Sequence, residues 1–179
     1  MQDKESALRK ILVEKGPSLL LYDVNLRKSV VNSFLKYINN TAENFLIISP
    51  LFDVFENILS KNKNKGSIIV VDDLLKLLVL VHTLTSLKHM LKKYLIIVSD
   101  IDIVYKSSII NYNLNKCISW LNELLSLFKI HFNRSIVFQP ISNKEYSYKS
   151  LYMKILFRNV KNIVEIGEEG ANILRSIYS

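Results

Sequence analysis

The chain contains one cysteine, four glycines and three prolines in 179 residues. A single thiol cannot close an intrachain disulfide or furnish a multi-cysteine zinc site, and it fits a reducing compartment. No Pro/Gly/Ser linker, internal repeat or low-complexity tract interrupts the sequence. Long apolar runs are also missing: "DLLKLLVLVHTL" and "YLIIVSDIDIVY" carry a polar or charged residue every few positions. They fall short of the roughly 18 to 20 residues that a membrane helix needs. The opening "MQDKESALRK" has acidic residues and no apolar segment before a small-residue cleavage site, unlike a secretory signal. A cytoplasmic protein is expected, nucleoid-associated if it binds DNA, with no membrane partner.

What is present is a core-forming chain with a basic balance. At 49% hydrophobic residues and 20.8 kDa it suits one globular domain over 1–179, with a short helical segment at 1–15 and a core at 16–179. Lys and Arg number 24 against 16 Asp and Glu, giving a net charge of +8. Such an excess favours polyanionic partners where it is clustered, but the lysines are spread along the sequence.

The order of elements is legible from periodicity. Gly16 and Pro17 end the first helical segment. "SLLLYD" then predicts a buried strand, and "LRKSVVNSFLKYIN" a helix with Val30, Phe34, Leu35 and Ile38 near helical spacing. "FLIIS" predicts a strand covered on both faces, followed by Pro50 and a helix over "LFDVFENILSKN". "SIIVVD", "LLKLLVLVHTLTSLKHMLKK" and "YLIIVSD" continue as strand, helix, strand. "NLNKCISWLNELLSLFKIHF" is an amphipathic helix through Cys117, Leu121 and Leu125, and "RSIVFQP" is a fifth strand. "SLYMKILFR" with "KNIVEIG" predicts a closing hairpin. The expected architecture is a three-layer α/β fold, mostly parallel with an antiparallel C-terminal hairpin, and ligands belong at the carboxyl ends of its strands.

The spacing of these segments from about Gly16 onward resembles the RecA-like ATPase core, in particular the archaeal RadA recombinase branch and its paralogs. "YLIIVSDIDIVYKSS" resembles the Walker B strand and its sequel, "RSIVFQPIS" the strand with a terminal Gln, here Gln139, and "LYMKILFRNVKNIVEIG" the closing hairpin. The resemblance implies a nucleotide site at Lys28, Ser29, Asp100 and Gln139.

The residues of that site depart from the family's pattern. A phosphate loop needs glycines so that its amides can turn inward around a phosphate, followed by lysine and a hydroxyl residue. The window "YDVNLRKS" keeps Lys28 and Ser29 but places Tyr22 and Arg27 at the glycine positions and adds the negative Asp23. Ser49-Pro50 stands where a catalytic glutamate belongs. Ser99 takes the place of the magnesium-linked aspartate, with Asp100 one residue late and on the opposite face if the strand persists. The three departures together predict a non-catalytic paralog with a vestigial site and no cofactor, neither ATP nor magnesium. Lys28 and Ser29 then form an ordinary helix start, or a residual anion site because the first amides remain unpaired.

The resemblance also implies two DNA-binding loops. "YKSSIINYN" corresponds to the first and contributes Lys106; "PISNKEYSYK" fills the second and interleaves Lys144, Tyr146, Tyr148 and Lys149. Basic and aromatic groups in alternation suit stacking on bases and neutralising phosphates of a single strand. His82, His89 and His131 have no cysteine or carboxylate at ligand spacing. Asp72 and Asp73 open a helix, where acidic side chains favour the dipole, and Cys117 sits on an apolar stripe.

These residues support two classes of function. The first is a binding subunit that assists homologous recombination and DNA repair by contacting single-stranded DNA, the recombinase or another paralog, as an oligomer or heteromer. The second is an ATPase with a reshaped loop, Lys28 and Ser29 meeting the phosphates. A structural subunit of an unrelated complex is the remaining alternative.

Overall fold

The computed structural model describes residues 16–41, 44–53, 55–56, 66–132, 134–141, 150–167 and 171–176. The strands are β1 (Gly16–Asp23), β2 (Asn44–Ser49), β3 (Gly66–Val70), β4 (Tyr94–Ser99), β5 (Arg134–Ile141), β6 (Asn162–Ile166) and β7 (Ala171–Ser176). The helices are α1 (Arg27–Thr41), α2 (Leu74–Ser86), α3 (Lys88–Leu91), α4 (Ile101–Asn111), α5 (Leu114–His131) and α6 (Leu151–Asn159). The sheet order is β3-β2-β4-β5-β1-β6-β7. The first six strands are mutually parallel, and β7 runs antiparallel to β6 at the edge.

Continuous apolar strands arise because both faces of the sheet are covered. Leu19, Leu21, Leu46, Ile48, Ile96 and Val98 face one layer, built by α2, α4, α5 and α6. Their alternates Leu20, Tyr22, Phe45, Ile47, Leu95 and Ile97 face the other, where α1 lays Val30, Val31 and Phe34. Each fully buried side chain of this size contributes roughly 1.5–3 kcal/mol of transfer free energy. Cys117 belongs to the first layer and is fully buried.

Three expectations need correction. "SLYMKILFR" is not a hairpin strand: Leu151–Asn159 is a helix that buries Tyr152, Met153, Ile155 and Leu156 at helical spacing, with Ser150 accepting from the Met153 amide as its cap. It forms the crossover that lets β6 pair in parallel with β1, so the segments expected to be a hairpin never pair with each other. The run misled because a short, nearly continuous apolar stretch cannot be assigned to strand or helix by periodicity alone. The expected first DNA loop, "YKSSIINYN", is likewise the second half of α4 and its exit, with Tyr105 and Ser108 buried. The long third helix breaks at Leu87 into α2 and α3. The N-terminal segment 1–15 and most of the helix expected after Pro50 lie outside the described residues.

Among the described residues no helix is long and apolar enough to cross a membrane.

Candidate functional site

The chain leaves β1 through α1 on one face of the sheet and leaves β4 through α4 on the other, with β5 between the two strands. Their carboxyl ends therefore flank the crevice where a doubly covered sheet accommodates ligands. The connection from β1 to α1 is short. Asp23 ends the strand and its carboxylate accepts from the Asn25 amide at 2.8 Å, capping a 3₁₀ turn over Val24–Leu26 that runs directly into α1. Three residues in a tight turn leave no arc of inward-facing amides.

The side chains at the two glycine positions close the space. Tyr22 is fully buried, and its ring meets Phe138 edge-on at a centroid distance of 6.3 Å. Arg27, at the start of α1, turns its guanidinium into the crevice, where Nη2 donates to Oδ1 of Asp100. The Arg27 side chain is 23% exposed and that of Asp100 is 0% exposed, so this pair is shielded from solvent screening.

Asp100 reaches Arg27 through its backbone. β4 ends at Ser99, and Asp100 adopts φ 57° and ψ 39°, the one non-glycine residue with positive φ among the described residues. The expectation that the carboxylate would point to the opposite face assumed that the strand persists; the left-handed turn instead returns it to the crevice. Aspartate tolerates this conformation better than most residues. The Asp100 amide donates to the Phe138 carbonyl of β5 at 3.1 Å, and Ser99 Oγ donates to Asp100 Oδ2 at 2.6 Å.

Burial raises the Asp100 carboxyl above its ordinary value, outweighing the Ser99 hydrogen bond and the Arg27 charge that favour the ionised form; Asp102 adds to the rise. Burial, reinforced by the Asp100 charge, pushes the Tyr22 phenol up to about 12. The Tyr22 hydroxyl has no hydrogen-bond partner of good geometry, although Arg27 and Ser99 lie beside it, and neither has Arg27 Nε. On β5, Gln139 accepts from the Tyr152 hydroxyl at 2.6 Å and donates to the Pro140 carbonyl at 2.9 Å, so both ends of its amide are engaged.

The other expected residues separate from this cluster. Lys28 and Ser29 occupy the first turn of α1 but are exposed, while Arg27 alone of that turn enters the crevice. Ser49 forms a local turn, its Oγ accepting from the Leu51 amide at 3.1 Å. Asp73 caps α2 by accepting from the Leu75 and Lys76 amides, and Asp72 pairs with Lys76. Lys106 is exposed on α4 and pairs with Asp102 at 3.4 Å. His82 pairs with Glu123 at 2.7 Å. Lys144, Tyr146, Tyr148 and Lys149 lie outside the described residues.

No protein-family model matches the chain, and no curated protein matches it. Solved structures do. A Pyrococcus horikoshii OT3 protein studied as Project ID PH0250 is similar over 99% of this chain and 94% of its own, at 16% identity and a TM-score of 0.61. A KaiC-like protein, PH0186, from the same hyperthermophilic archaeon is similar over 91% of this chain and 80% of its own, at 12% identity and a TM-score of 0.61. The fold is RecA-like. Identities this low establish the shared fold and leave activity to the site.

Within this fold, periodicity and motif spacing located β1, β4 and the strand that carries Gln139, but missed the Arg27–Asp100 pair. The usable signal was the arginine at a glycine position together with an aspartate one residue beyond its expected place. Neither residue alone announces an ion pair 73 positions apart.

Proposed function

We propose that the protein is a non-hydrolysing RecA-like subunit, a RadA-type paralog that assists homologous recombination and repair by contacting single-stranded DNA, the recombinase or another paralog. The observation that carries the first half of this reading is the Arg27–Asp100 pair. It sets a cation from the chain itself in the crevice and engages the carboxylate nearest to a magnesium-binding position. Hydrolysis needs a free acceptor for the metal and amides converging on the phosphates. Here the carboxylate is neutralised internally, and a short turn replaces the loop. The second half rests on the sequence resemblance and on the net charge of +8.

A second reading keeps the site alive: α1 still begins beside the crevice, with Lys28 and Ser29 exposed in its first turn. Phosphate release from magnesium-ATP, with and without an oligothymidylate, separates the two. The proposed function expects release equal to buffer alone under both conditions. Release that stops in Lys28→Ala would put the ATPase first.

A further inference from the structure

Among the described residues, aspartates gather at one end of the strand axis. Every described aspartate lies at or just beyond a parallel strand's carboxyl end: Asp23 ends β1, Asp53 follows β2, Asp72 and Asp73 follow β3, and Asp100 and Asp102 follow β4. Of the lysines at that end, Lys76 and Lys106 are held by Asp72 and Asp102, while Lys28, Lys116 and Lys154, exposed in the first turns of α1, α5 and α6, make no ion pair among the described residues. A polyanion approaching the carboxyl ends therefore meets carboxylates set among the lysines.

The opposite end, among the described residues, carries lysines and no aspartate. Lys92 and Lys93 immediately precede β4, Lys129 lies in the last turn of α5 just before β5, and Lys161 precedes β6. The sheet register aligns these starts: Gly16 of β1 pairs with Arg134 of β5, and Ile96 of β4 with Ser135. The Lys161 amide donates to the Pro17 carbonyl at 2.9 Å, fixing that lysine beside the beginning of β1. None of the four lysines makes an ion pair among the described residues. The dipole of α5 accounts for Lys129 but not for Lys92, Lys93 or Lys161.

Apolar side chains stand exposed at the same end. Met90 is 73% exposed on α3, and Ile130 is 71% exposed at the end of α5. Tyr94, half-buried, comes directly after Lys92 and Lys93. Unpaired lysines beside apolar and aromatic groups match a single strand, which offers phosphates together with unstacked base faces; a duplex presents mainly phosphates to such a surface.

We infer that the amino-terminal end of the sheet, through Lys92, Lys93, Lys129 and Lys161, is a docking surface for single-stranded nucleic acid. The inference shares a nucleic-acid partner with the proposed function but rests on charge placement and not on the crevice. It locates the contact away from Lys106 and from the carboxyl ends.

The test is fluorescence anisotropy of a fluorescein-labelled oligothymidylate with the full chain across a salt series. Four lysine–phosphate contacts give a log–log salt slope of about −2.8, or about 50-fold weaker binding at 200 mM than at 50 mM salt. Lys92→Ala/Lys93→Ala/Lys129→Ala, with its melting temperature unchanged as a folding control, is expected to lower the slope to about −0.7. Lys106→Ala is expected to leave it at the wild-type value. No binding by the wild type, an unchanged slope in the triple variant, or a loss confined to Lys106→Ala would each overturn the inference. So would capture by phosphatidylserine vesicles without oligonucleotide binding, which would assign the surface to a membrane. Magnesium-ATP binding, read separately on the same samples, bears on the crevice alone, so failure of one reading leaves the other standing.

Discussion

Arg27 at the start of α1 and Asp100 at the end of β4 form an ion pair across the crevice between the two strands, with the Asp100 side chain wholly removed from solvent. Breaking such a pair from one side is costly because the survivor is a buried, uncompensated charge. Arg27→Ala is expected to destabilise the protein by about 3–5 kcal/mol near neutral pH. Burial already places the folded-state Asp100 value above 3.8, and losing Arg27 raises it further. The cost of the ionised carboxylate is therefore present at neutral pH and fades as pH falls through the raised folded value. Arg27→Met/Asp100→Asn, which removes both charges and keeps a residue tolerant of positive φ, recovers most of the stability. Urea denaturation of the set at two pH values checks this; a small, pH-independent loss in Arg27→Ala would show that the pair is solvated.

Tyr22 yields a prediction about a hydroxyl that contributes little. Its oxygen is buried without a hydrogen bond of good geometry, so Tyr22→Phe removes an unsatisfied group and keeps the ring on Phe138. Stability is expected to change by less than about 1 kcal/mol, in either direction. The phenol lies near 12 in the folded protein against 10.0 ordinarily, because burial penalises the phenolate, so its ionisation leaves stability untouched below pH 10 and lowers it as pH rises through 12. Absorbance at the phenolate band should show one late-titrating tyrosine fewer in Tyr22→Phe.

Gly66 opens the edge strand β3 opposite Phe45 of β2. A Cβ there would fall 2.1 Å from the Phe45 ring, which lies across the glycine and belongs to the second core layer. Gly66→Ala must push that ring aside and is expected to cost about 1–3 kcal/mol. Thermal melting of this variant against Ser67→Ala, an exposed neighbour, reads the difference.

The fold was legible where periodicity is unambiguous. β1, β2, β4 and β5 are apolar runs bounded by polar residues, and α5 carries Cys117, Leu121, Leu125 and Phe128 on one buried stripe. It was illegible where a short, nearly continuous apolar run leaves helix and strand undecided, as in Leu151–Asn159, whose helix decides that β6 joins the sheet in parallel. The site was half legible. The missing glycines and the displaced aspartate could be read directly, but the direction of the Asp100 side chain depends on a single left-handed residue. Nothing in the local sequence required that turn; tertiary contacts hold it, through the Phe138 carbonyl and Arg27.

Calorimetric titration with magnesium-ATP tests the central claim most directly, because the Arg27–Asp100 pair and the phosphates would compete for the same crevice. The account predicts no saturable heat at nucleotide concentrations up to on the order of 1 mM, equivalent to less than about 4 kcal/mol of binding free energy. Saturable binding tighter than about 0.1 mM that disappears in Lys28→Ala would contradict it. That result would mean that the guanidinium yields to nucleotide and that the phosphate site works without its glycines.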